Sequence, residues 1–345
     1  MMGTLGWAVA VAVAVAAFIA AFVLAELVMR GLAPKLRPLT PWDNWEVHHK
    51  VAAIDALSSD GGASVVAVGS STVNAGVDPD QLTGELGRAR PAFNAALNGA
   101  GIRLLELWTL HLVVPTLRPD VVVIGLGSGE LNTNNLVGRR LLDAMVRSPA
   151  WRARAPRRSS ARVLLTRLRT ASLVWRYRKL LGRRALFTPD QFQRATMCRR
   201  LGLLRFFLVF RYRRYQIEDK QREIWRDALN DYAIGDEEIA SLHRLISGLR
   251  AAGVTPLIVR TPFAPDWVGM HPHGIADVER FDSVLSSVSA MDGVEFADLA
   301  TAFSSLDDYA DPVHVNGKGQ ERLTGLLAAE LARMPAGTST ATGGG

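Results

Sequence analysis

Val65-Val66-Ala67-Val68-Gly69-Ser70-Ser71-Thr72-Val73-Asn74-Ala75-Gly76 is the stretch from which the rest of the chain is read. Its first four residues are apolar and mostly β-branched, which predicts a short buried strand. Gly69 then permits a tight turn, and Ser71 follows at once. A hydroxyl is thereby expected at the carboxyl end of a sheet strand, where open α/β sheets gather their ligand-binding groups. Near the other terminus, Asp311-Pro312-Val313-His314 sets a carboxylate and an imidazole three residues apart. That spacing lets them share one turn, with the carboxylate fixing the tautomer of the ring. A serine, a base and an orienting carboxylate are the parts that covalent acyl transfer needs.

The pattern on either side of this stretch alternates strand and helix. Val121 to Leu126 is a continuous apolar run, read as a central parallel strand that opens into Gly127-Ser128-Gly129-Glu130-Leu131-Asn132. Pro91 to Asn94 reads as a short strand leading into Asn94-Ala95-Ala96-Leu97-Asn98-Gly99. Val254–Val259 and Val294–Phe296 supply two more strands. Helices are predicted over Trp42–Leu57, from Asp78-Pro79, over Ile102–Val114, from Asp236, over Ile275–Met291, and from Asn316-Gly317 to the end of the domain. The expected fold class is α/β: a doubly wound parallel sheet with helices on both faces.

Charge is unevenly spread over the 345 residues. Residues 139–226 hold 25 Lys/Arg and five Asp/Glu, and the remainder is acidic, although the whole chain carries +7. This interval breaks the strand–helix rhythm and reads as an Arg-rich helical insert. Such a segment suits nucleic acid, an anionic lipid surface or an anionic polymer, or is simply a solvated face. With an apolar anchor in the same chain, lipid or polymer is the expected partner and nucleic acid is not. One cysteine, Cys198, excludes an intramolecular disulfide. His271-Pro272-His273 reads as a stiff loop rather than a metal site, since no Cys or carboxylate is spaced to complete one. No metal and no cofactor are expected.

At the amino terminus, Leu5 to Ala25 is uncharged and long enough to cross a bilayer as a helix. The absence of a basic segment before it favours an uncleaved anchor over a signal peptide. Arg30, Lys35 and Arg37 follow the span, which by the positive-inside rule alone would hold the large domain in the cytoplasm. The expected organisation is an anchor at 1–30, a linker and lead-in helix at 31–62, an α/β domain at 63–334 with the basic insert at 139–226, and a disordered tail at 335–345.

Three blocks of the chain together resemble the SGNH (GDSL-like) hydrolases. Gly69-Ser70-Ser71 is similar to the family's nucleophile turn, and Gly76-Val77-Asp78-Pro79 continues it as in membrane-anchored, cell-surface members. Asn94 to Gly99 is similar to the second block, and Asp311 to Gly319 to the last. The likeness spans roughly residues 63–135 and 236–332 and leaves the insert unaccounted for. Two positions depart from it. Ser70 stands where the family has Asp before the serine, and Gly129 stands where an oxyanion-binding Asn is usual.

The resemblance implies a three-layer sandwich and a Ser71–His314–Asp311 triad. It implies that the N–H groups of Ser71 and Gly99 bind the oxyanion, with Asn132 or a backbone N–H substituting for the missing Asn and Glu130 as an oxyanion- or substrate-binding residue; Glu130 equally reads as a helix-capping carboxylate. It further implies a membrane-anchored serine esterase or O-acyltransferase acting on an acyl ester of a cell-envelope glycan or lipid. Anchored relatives work outside the membrane, which sets an extracytoplasmic domain against the charge rule. The alternative is a catalytically weak or inactive scaffold that binds a glycan or partners a membrane acyltransferase; the Gly129 departure motivates it.

Overall fold

A computed structural model describes residues 4–33, 40–87, 89–154, 172–177, 200–203, 212–217 and 219–334. The chain divides into two compact units. Most of the basic insert, the linker at 34–39 and the tail at 335–345 lie outside the described residues.

The smaller unit is built on α1 (Thr4–Leu32), whose stretch Val9–Leu32 has a mean hydropathy of 2.7 and no buried share. It is a candidate membrane span or signal sequence, and it runs seven residues beyond the charge-free stretch. The extension carries Glu26. Its carboxylate accepts from the Ser172 hydroxyl and from the backbone N–H groups of Leu173 (3.0 Å) and Val174 (3.1 Å). Near the same end of α1, Met29 packs with the buried Tyr177.

The larger unit contains α2 (Trp45–Ser59), β1 (Val65–Val68), α3 (Ser71–Gly76), α4 (Pro79–Leu86), β2 (Ala92–Asn94) and α5 (Ile102–Trp108). A π-helical stretch, Thr109–Val113, continues α5 into α6 (Val114–Leu117). Next come β3 (Val121–Leu126), a 3₁₀ turn (Ser128–Leu131) and α7 (Leu136–Arg147). Two short helices, α8 (Pro149–Arg154) and α9 (Leu173–Tyr177), fall in the smaller unit. The larger unit resumes with α10 (Asp219–Leu229), α11 (Asp236–Ala251), β4 (Thr255–Arg260), α12 (Ile275–Ser289), β5 (Glu295–Asp298) and α13 (Gly317–Arg333).

All five strands are parallel, in the order β2-β1-β3-β4-β5. That is a doubly wound order, whose reversal lies at the carboxyl ends of β1 and β3. Val65, Ala67, Val121, Val123, Leu257 and Val259 point into one apolar layer with Val73 of α3, Val77 just after it, Leu82 of α4, and Leu323, Leu327 and Leu331 of α13. The alternate residues Val66, Val68, Val122, Ile124 and Ile258 are equally buried, as period-two side chains of a sheet covered on both faces must be. On that side α11 packs against β4 and α5. The doubly wound parallel sheet expected from the sequence is the one present.

Local chemistry explains the element ends. Asn44 caps α2, Asp78 caps α4 with Pro79 at the first helical position, and Asn316 caps α13 through the N–H groups of Lys318 and Gly319. Residues 200–203 run beside β2, where the Asn94 N–H donates to the Leu201 carbonyl (2.9 Å). Gly202 holds φ +93° there, and a Cβ at that position would lie 2.2 Å from the Asn94 carbonyl oxygen.

Candidate functional site

β1 delivers its chain to a turn at the carboxyl edge of the sheet. Gly69 is required there for space, because a Cβ would sit 2.3 Å from Val73 Cγ2 and 2.7 Å from the Gly125 carbonyl. Ser70 is the N-cap of α3, its hydroxyl accepting from the Thr72 N–H, and Ser71 is the first helical residue, partly exposed. The Gly69 carbonyl accepts from the Leu97 N–H (3.0 Å), which fastens the second block directly to this turn. Residues 97–100 form a turn closed by Ala100 N–H to Leu97 O (3.0 Å), with Gly99 at φ +72°. That left-handed value is one glycine adopts without steric cost. Trp108 braces the loop by donating its indole N–H to the Ala95 carbonyl (2.9 Å).

The last block arrives at the same edge. Asp311 is fully buried, and its two carboxylate oxygens lie 2.9 and 2.8 Å from His314 Nδ1. Its Oδ1 also accepts the N–H groups of Val313 (3.0 Å) and His314 (2.9 Å), so one carboxylate shapes the turn and orients the ring. The loop is held from two sides. Ala264 N–H donates to the Pro312 carbonyl (2.9 Å), and Gln320 of α13 donates to the Ala75 carbonyl at the end of α3 (2.6 Å). The helix that begins with Ser71 is therefore bonded to the helix that follows His314.

Glu130 lies between these pieces. It is buried in the 3₁₀ turn after β3, accepts from the Gly127 N–H (2.9 Å) and hydrogen-bonds the Ser70 side chain. Burial raises its pKa, opposed by those bonds and by the positive potential of His314. Gly129 needs no glycine for space, since a Cβ there would meet nothing within 4 Å. Asn132 is committed elsewhere: its amide donates to the carbonyls of Ala228 (2.7 Å) and Asn230, while its oxygen accepts from Asn134 and Ala233 N–H. It ties the third block to the 228–233 segment and is not placed to serve as the substitute oxyanion donor. The structure thus groups Ser71, Gly99, Glu130, Asp311 and His314 on elements of one rim and turns Asn132 away.

A second serine–histidine pair was not foreseen. Ser128 Oγ and His271 Nε2 share a hydrogen bond of 2.9 Å, Trp267 Nε1 donates to the same hydroxyl (3.0 Å), and Asp277 lies 3.8 Å from His271 Nδ1. Asp277 also binds His273 through Nδ1 (3.0 Å) and the backbone N–H (2.9 Å). Asp277, four residues beyond His273, thus meets this histidine pair, although no group of three or more His, Cys, Asp or Glu among the described residues could hold a metal ion. Ser128 and the His271 ring are sealed from solvent, so this set braces the third block rather than presenting a nucleophile.

Desolvation lowers the His271 pKa to about 4 from 6.5, with Asp277 pulling the other way. The unfolded chain therefore binds the extra proton between those values. Stability from this residue is complete near pH 7 and lost as pH falls from about 6.5 towards 4. His271→Gln is expected to flatten that acid limb by on the order of 2–3 kcal/mol, measured by denaturant melts at pH 7, 5.5 and 4.5.

No family model and no curated protein matches the chain. Among solved structures it is similar to a GDSL-like lipase from Bacteroides thetaiotaomicron, at 11% identity and a TM-score of 0.42, covering 84% of this chain and 100% of that one. It is also similar to an aryl esterase of M. smegmatis in inhibitor-bound form (14%, TM-score 0.36, covering 78% and 99%). A third is a carbohydrate acetylesterase family member from Sinorhizobium meliloti (12%, TM-score 0.36, covering 78% and 99%).

Proposed function

We propose that the chain is a serine esterase of the SGNH type, anchored by α1, that forms an acyl-enzyme on Ser71. The observation that carries this reading is the Asp311–His314 pair: a buried carboxylate on Nδ1 leaves Nε2 as the basic nitrogen. His314 Nε2 takes the Ser71 proton as Oγ attacks the ester carbonyl, and returns it to the leaving alcohol. The resulting imidazolium is stabilised by Asp311. The N–H groups of Ser71 and Gly99 receive the developing oxyanion. Water then releases the acid, or a sugar hydroxyl takes the acyl group, giving an O-acyltransferase from the same intermediate. An ester of an envelope glycan or lipid is the substrate class, with the domain outside the cell membrane and the basic insert towards anionic lipid or polymer.

A fluorophosphonate probe tests the reading. Stoichiometric labelling of folded protein at Ser71, found by peptide mass mapping, is the expected result; folded protein that takes no label sinks it. The scaffold alternative draws on Gly129, which has no side chain to donate although a Cβ there would meet nothing within 4 Å. It requires a Ser71→Ala gene to restore a deletion phenotype in full.

A further inference from the structure

α2 buries two charged residues one helical turn apart against the second block. Lys50 is fully buried, and its ammonium donates to Asn74 Oδ1 (3.1 Å), the Asn94 carbonyl (2.7 Å) and the Gly202 carbonyl (2.6 Å). Glu46 Oε1 accepts from Asn74 Nδ2 (3.0 Å) and from the Asn98 backbone N–H (2.8 Å). Asn74 Nδ2 also donates to Asn98 Oδ1 (3.1 Å), so both the side chain and the backbone of Asn98 are gripped. Asn98 immediately precedes Gly99 in the 97–100 turn.

Buried charge is costly, and the fold needs none here for packing, since α2 already buries Val47, Val51, Ile54 and Leu57. What the pair does is fix Asn98, the residue before Gly99, in a turn that Leu97 bonds to the Gly69 carbonyl, with Asn74 of α3 sharing the grip. We infer that Glu46, clamped by Asn74 and backed by Lys50, is a positioning residue for the oxyanion-binding turn at Gly99. This deepens the esterase reading and rests on it. Glu46 does not touch the reacting atoms; it orients the N–H that does. Burial pushes its carboxyl up to about 7, against the pull of the Asn98 N–H, Lys50 and the Asn74 amide. An acceptor oxygen at this place, charged or not, is what the turn uses.

The experiment measures kcat and KM on a soluble acetate ester and the rate of fluorophosphonate labelling, using the full chain in detergent. Glu46→Ala is expected to lower kcat and the labelling rate by roughly 10- to 100-fold while KM stays within about threefold. Glu46→Gln keeps the acceptor oxygen and is expected to stay within about threefold of wild type. Should Glu46→Ala fail to fold, Glu46→Met/Lys50→Met removes both charges together, a replacement that buried pairs commonly tolerate. It is expected to show the same loss in kcat. A folded Ala or Met/Met variant with wild-type kcat overturns the inference, as does a Gln variant that loses as much as Ala. Wild-type protein that neither turns over the ester nor takes the label overturns the esterase reading itself, and this one with it. Active wild type with an indifferent Glu46 overturns this one alone.

Discussion

Ser71→Ala is expected to abolish ester turnover and probe labelling while leaving the melting temperature unchanged. The hydroxyl is removed from the first residue of α3, where it is partly exposed and not part of the helix cap, which Ser70 supplies. Nothing in the apolar layer beneath is disturbed, since Val73 and Val77 make those contacts. Loss of a nucleophile acting with a base costs on the order of 10⁴-fold or more in kcat, with the oxyanion donors and binding alone sustaining what is left. The check is initial-rate kinetics on purified variant and wild type at matched folding, judged by far-UV circular dichroism. A Ser71→Ala protein within tenfold of wild type would return the search for a nucleophile to the rest of the rim.

Asp311→Asn is expected to lower kcat about 10⁴-fold with KM little altered. An asparagine can keep its oxygen on the Val313 and His314 N–H groups, so the turn survives. Its amide would then face His314 Nδ1, which would have to accept rather than donate. The proton moves to Nε2, the nitrogen that the reaction needs bare. The change is thus one of tautomer rather than of shape, and a proton NMR signature of the ring in the two proteins separates the two explanations. Thermal stability should hold within a few degrees, because the backbone bonds to Oδ1 persist.

The architecture was legible because its signals are local. Val65–Val68 and Val121–Leu126 are runs no amphipathic helix would carry, and Asn316 and Asp78-Pro79 announce their helices within two residues. The Asp311–His314 pair was legible for the same reason, three residues making the contact. The Glu46–Lys50 clamp was not. Both lie within the helix predicted over Trp42–Leu57, and their partners Asn74, Asn94, Asn98 and Gly202 are 24 to 152 residues distant. Asn132 misled for a related reason: its type and position suited an oxyanion donor, but the carbonyls that claim its amide lie near residue 230, beyond any local pattern. The π-helical turn at Thr109–Val113 likewise leaves no mark on the apolar spacing of its helix.

The short run at 200–203 has a practical consequence for anyone trimming the protein. β2 ends the sheet, and a naked terminal strand invites a second molecule to add to it. Leu201 occupies that margin by taking the Asn94 N–H, and Gly202 supplies an oxygen to the interior lysine. A truncation that excised the arginine-rich interval through residue 203 would expose an adhesive border and at once leave the buried lysine one of its three acceptors short, so insolubility of such a product would speak to the cut rather than to the enzyme.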